Sequence, residues 1–122
     1  MPLRLLVVDD SQVSRILITE MVREVGYEVV AEAESLDGAV EAYRTHKPDV
    51  VTLDLSLANE DGRNILKALR QEDPQARIVV ISGNAQPQVR EQLSQAGAQG
   101  FVSKPFAPDD LLRALSRFTP KP

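Results

Sequence analysis

The sequence has no cysteine and no tryptophan, a single histidine, and only 4% aromatic residues. Without cysteine there is no disulfide, no thiolate metal site and no thiol nucleophile; this agrees with a reducing compartment and leads us to expect a cytoplasmic protein. One histidine and no cysteine also leave little with which to hold a transition metal. That histidine, His46, stands in the polar stretch 45–49 and reads as solvated surface. Long apolar runs are missing too, none approaching the roughly 20 residues needed to cross a bilayer. The chain starts Met1, Pro2, Leu3, Arg4 and passes straight into a short apolar run ended by two aspartates, unlike a signal peptide. Positive charge is in deficit, with 14 Lys and Arg against 18 Asp and Glu for a net charge of -4. With no basic run interleaved with aromatics, direct binding to nucleic acid is disfavoured.

What the 122 residues do contain is a regular alternation on the scale of one domain, long enough to bury roughly two thirds of its unfolded surface. Leu3, Leu5, Leu6, Val7 and Val8 form a continuous apolar run, the pattern of a parallel strand buried on both faces. Ser11 offers an N-cap; Val13, Ile16, Leu17, Met21 and Val25 follow at helical spacing, with Gly26 at the C-terminal cap. A second strand is expected from about Tyr27 to Ala33, then a helix capped by Ser35 and carrying Leu36, Val40 and Tyr43, stopped by Pro48 before the strand residues Val50 to Leu53. Asp61 or Gly62 opens a helix with Ile65, Leu66 and Leu69, and Pro74 separates it from the β-branched run Ile78 to Ile81. A helix over Val89 to Leu93 ending near Gly97, a strand at Phe101 and Val102, and an amphipathic helix with Leu111, Leu112, Leu115 and Phe118 complete the pattern. Five alternations of strand and helix predict a doubly wound α/β domain over residues 1–118, with 119–122 a frayed tail or the start of a linker.

In open α/β sheets ligands bind beyond the carboxyl ends of the strands. The first strand is expected to end in Asp9 and Asp10, the third in Asp54, the fourth in Ser82 and the fifth in Lys104 followed by Pro105. Each residue has a plain alternative, since aspartate and serine cap helices and a lone lysine is usually solvated. Their joint placement on one rim points instead to a site. Three carboxylates brought together repel unless a cation sits among them, and oxygen-only donors suit magnesium, which keeps waters that a phosphate can replace.

The segments LRLLVVDDS, PDVVTLDLSLANEDG, IVVISGN and AGAQGFVSKPF, in this order and spacing, resemble the response-regulator receiver family of two-component systems across essentially the whole chain. The resemblance implies a five-stranded parallel sheet in the order 2-1-3-4-5. It also implies that Asp54 is the phosphoryl acceptor, that Asp10 and Asp54 ligate Mg2+ with Asp9 holding it partly through water, and that the Ser56 backbone carbonyl completes the set. Lys104 would stabilise phosphoryl charge, Ser82 would bond a phosphoryl oxygen, and Phe101 would turn inward and remodel the face of the fourth helix, fifth strand and fifth helix. On spacing alone Phe101 is equally well an ordinary core aromatic. The implied donor is a sensor histidine kinase or histidine phosphotransfer protein, and the implied reader a downstream output protein or domain; a phosphorylation-dependent homodimer is left open. The peptide between Lys104 and Pro105 resembles the family's cis bond.

Some positions depart from the family's common pattern. Leu57 and Ala58 stand where Met-Pro is usual, Gly83 follows Ser82 where alanine is more common, and Phe101 lacks a switch tyrosine's hydroxyl, so its readout rests on packing. Competing readings are the N-terminal piece of a longer regulator and a phosphate-independent interaction module, the latter opposed by intact Asp9, Asp10, Asp54, Ser82 and Lys104. A haloacid dehalogenase-type phosphatase would want an aspartate at Ser56, and a nucleotide-binding flavodoxin-like protein a Gly-rich loop after the first strand.

Overall fold

A computed structural model describes residues 2–55, 60–84 and 86–121. The elements run β1 (Arg4–Val8), α1 (Gln12–Glu24), β2 (Glu28–Ala33), α2 (Leu36–His46), β3 (Val50–Leu55), α3 (Glu60–Glu72), β4 (Ile78–Ser82), α4 (Pro87–Gln95), β5 (Gly100–Ser103) and α5 (Pro108–Ser116). The strands form one parallel sheet in the order β2-β1-β3-β4-β5, as the sequence pattern and resemblance imply.

The central strands are mostly apolar, with Thr52, Asp54 and Ser82 the polar exceptions on β3 and β4, because helices cover both faces of the sheet. Leu6, Val8, Val51, Leu53 and Val80 point to one side, where Ala39 and Tyr43 of α2, Leu66 and Leu69 of α3 and Leu93 of α4 close over them. Leu5, Val7, Val50, Val79 and Ile81 point to the other, against Ile18 and Val22 of α1 and Leu111 and Leu115 of α5. The expected caps form: the Ser11 and Ser35 hydroxyls accept from the amides of Ser14 and Gly38 at 3.3 and 3.1 Å. Gly26 takes φ 90°, the left-handed turn that glycine adopts cheaply.

The face of α1 differs from the stripe read in the sequence. Val13, Ile16, Leu17 and Val25 mark the helix, yet they are 48% to 66% exposed, while Ile18, Thr19 and Val22 are buried. Two overlapping apolar stripes lie on this helix, and periodicity detects a helix without saying which stripe meets the sheet. In α2 the buried positions are Ala39 and Tyr43, with Val40 only half-buried.

At the amino ends of the strands the buried carboxylate of Asp49 accepts the amide of Arg4 through one oxygen and that of Lys121 through the other, both at 2.8 Å. Arg77 also donates to the Thr119 carbonyl, so the segment after α5 lies along the base of the sheet. Beside it the Tyr43 hydroxyl donates to Asp73 at 2.7 Å, and the Lys121 ammonium is 3.5 Å from the same oxygen.

Candidate functional site

The carboxyl ends of β1, β3, β4 and β5 meet on one rim, and the register fixes who stands beside whom. Asp54 is opposite Ile81, Leu55 opposite Ser82, and Ser82 opposite Ser103. Asp9 follows the last residue of β1, whose neighbour on β3 is Leu53, so Asp9 and Asp54 come together.

Asp9 is only 3% exposed. Its Oδ1 accepts the Ser11 amide at 2.9 Å, while Oδ2 is buried with no hydrogen-bond partner. Burial pushes the Asp9 carboxyl up from its ordinary value, and the nearby Asp54 carboxylate adds to that; the Ser11 amide and Lys104 pull the other way. The β1–α1 turn is held by Arg15, which donates to the Asp9 carbonyl at 2.7 Å and pairs with Glu32 at 3.2 Å. Asp10, by contrast, is exposed.

The Asp54 side chain is 4% exposed and in ion-pair contact with the Lys104 ammonium through Oδ2, which makes no hydrogen bond. Lys104 reaches it from the turn after β5, where its amide donates to the Ser82 carbonyl at 2.9 Å and its bond to Pro105 is cis, as the resemblance implies. Ser82 is buried, and its Oγ accepts the Asn84 amide at 3.1 Å. That bond uses a lone pair and leaves the hydroxyl proton available to another acceptor. Phe101 is half-buried beside the Leu93 cluster, with the Arg90 guanidinium 4.9 Å above its ring.

The structure therefore brings together Asp9, Asp54 and Lys104, with Ser82 adjacent and Asp10 at the solvent side. Among the described residues no three His, Cys, Asp or Glu side chains are grouped to hold a metal ion. Two carboxylates are nevertheless what magnesium commonly takes from protein, and a buried carboxylate oxygen without a partner is an unmet demand for a cation or a donor. Ser56, Leu57 and Ala58 lie outside the described residues. Sequence reasoning missed Arg15 and Arg90. Their only signal was helical position, since the partners Asp9, Glu32 and Glu34 of Arg15 lie on or beside β1 and β2, and that of Arg90 lies on β5.

Residues 5–116 match the family model described as "Response regulator receiver domain". This chain belongs to that family. Its receiver sequence is 42% identical over 114 residues to the chemotaxis protein CheY of Bacillus subtilis, covering 93% of this chain and 95% of the relative. It is 36% identical over 114 residues to the transcriptional regulatory protein PdtaR of Mycobacterium tuberculosis, covering 93% of this chain but 55% of that protein. Among solved structures, CheY in the CheX-CheY-BeF3-Mg+2 complex from Borrelia burgdorferi superposes with a TM-score of 0.89 at 28% identity, covering 96% of this chain and 89% of that one. The chain is thus a two-component receiver, a class of signalling switch. No helix among the described residues is long and apolar enough to cross a membrane.

Proposed function

We propose that this receiver is switched by Mg2+-dependent phosphorylation of Asp54 from a phosphohistidine on a sensor histidine kinase or histidine phosphotransfer protein. The reading is carried by one juxtaposition: two buried carboxylates, one with an unpartnered oxygen, facing a single ammonium. Asp10 and Asp54 would hold magnesium directly, Asp9 partly through water, and the Ser56 carbonyl would complete the protein's share. The ion would offset charge on the transferring phosphoryl group and the carboxylates. Everything else is the work of the chain itself. An Asp54 oxygen bonds to phosphorus as the donor's P–N bond breaks, and the imidazole leaves with the electron pair. Lys104, already at Asp54, turns to a phosphoryl oxygen. Ser82 donates its free proton to another, which draws the β4–α4 loop inward and lets Phe101 follow. Contacts that exist only with the phosphoryl group shift a two-state population, and an output protein or domain reads the remodelled α4-β5-α5 face. A cytoplasmic site of action fits a cysteine-free switch served by such a donor. Relatives such as PdtaR, of which this chain covers 55%, support a second reading as the receiver of a longer regulator.

The Asp54→Asn protein is expected to keep its fold and lose all labelling from a phosphorylated donor; continued labelling would put the acceptor elsewhere. Lys104→Ala should still bind magnesium but lose most of the conformational response, and an unchanged phosphorylated-state NMR spectrum would remove Lys104 from the mechanism.

A further inference from the structure

A cleft of about 850 Å³ runs between α4 and α5 over β5, and Arg90, Leu93, Phe101, Arg113 and Arg117 are among its walls. Arg117 donates to the Gln99 carbonyl at 2.9 Å and lies by Phe118. Arg90 is different. Among the described residues its guanidinium makes no hydrogen bond and no ion pair, and what it meets is the ring of Phe101, with Cζ 4.9 Å from the centroid. An exposed arginine with no other partner would ordinarily extend into water; at this distance the quadrupole of the ring attracts it.

Two features make that contact more than decoration. First, Phe101 has no hydroxyl, so no hydrogen bond of the ring can distinguish one of its positions from another. The attraction to Arg90 is the polar interaction left to do so. Second, Arg90 is tied to the site through a short chain of bonds. Ser82 Oγ accepts the Asn84 amide, the Asn84 Oδ1 accepts the Gln86 amide at 3.1 Å, and α4 starts at Pro87 with Arg90 its fourth residue. In the proposed switch, drawing Ser82 inward would pull on the turn that carries the guanidinium, while the ring would move away beneath it.

We propose that Arg90 is a positioning residue of the switch, holding Phe101 in the place it occupies beside unmodified Asp54 through a cation–π contact. This rests on Asp54 being the phosphoryl acceptor. The contact favours one of two states, so weakening it tightens every ligand that selects the other. For a contact at an exposed site the shift is roughly two- to fivefold.

The test replaces Phe101 with mono-, di- and trifluorophenylalanine, which keep the ring's shape while draining negative charge from its face. Beryllofluoride with magnesium serves as the phosphoryl mimic, and its apparent affinity is followed by NMR titration. Affinity should rise stepwise with fluorination, by roughly two- to fivefold across the series. In Arg90→Gln it should start high and stay flat, and Arg90→Lys should retain part of the slope. A flat series with Arg90 present, or the same slope in Arg90→Gln, overturns the proposal. The same cycle read in urea unfolding without beryllofluoride separates the two possible failures. Coupling between fluorination and Arg90 in a protein that binds no beryllofluoride would sink the phosphorylation reading, and the switch role of Arg90 with it. Binding without coupling would leave phosphorylation standing and remove the latch.

Discussion

The two ends of the sheet use the same side chains to opposite purpose. At the base, Asp49 spends both oxygens on backbone amides of Arg4 and Lys121, and Asp73 accepts from Tyr43 at 2.7 Å and the Gln75 amide at 2.9 Å. At the rim, Asp9 keeps a buried oxygen without a partner, Asp54 relies on one lysine, and Ser82 has a proton to give. A buried carboxylate whose oxygens are all answered stabilises the fold. One left partly unanswered costs stability and waits for chemistry.

The contrast is broken most sharply by exchanging carboxylates at the two ends. Asp49→Ala strands the Arg4 amide, where the first strand enters the sheet, and should cost about 3 kcal/mol in urea unfolding; a loss under 1 kcal/mol would mean that the base is not the anchor described. Asp9→Asn should move the other way, stabilising the magnesium-free protein by about 1 kcal/mol because a desolvated charge disappears, while weakening magnesium binding. Equal losses at both positions would erase the distinction. The smallest effect is expected at Tyr43→Phe, about 1 kcal/mol from one hydrogen bond. It carries a pH signature. The Tyr43 hydroxyl holds the Asp73 carboxyl below its ordinary 3.8, so the folded state binds that proton more weakly than the unfolded chain. The Asp73 contribution is therefore complete above pH 3.8 and lost as pH falls through the lowered value. The deficit of Tyr43→Phe against the parent should be constant at neutral pH and shrink in that acid window.

Much of the fold was legible because strands buried on both faces announce themselves as unbroken apolar runs, and Ser11, Ser35 and Gly26 mark helix ends with side-chain and backbone chemistry that is purely local. The α1 face was not, since Val13, Ile16 and Leu17 keep helical spacing as faithfully as Ile18, Met21 and Val22, and only the tertiary fold chooses between them. The rim was readable in kind, as strand ends carry chemistry in this architecture, but not in detail: consecutive Asp9 and Asp10 look equivalent in sequence, and only the turn out of β1 buries one and exposes the other. Asp49 could not have been found by pattern, because its two partners lie 45 and 72 residues away. The contact of Arg90 with Phe101 likewise exists only once α4 lies over β5.

The most direct test of a rim built for phosphoryl chemistry is intact-mass measurement after incubation with acetyl phosphate, with and without magnesium, followed by location of any added group. We predict one acid-stable, base-labile phosphoryl group on Asp54 that requires magnesium. No added mass, together with no magnesium binding by calorimetry, would contradict the account and leave a receiver fold that works without phosphate.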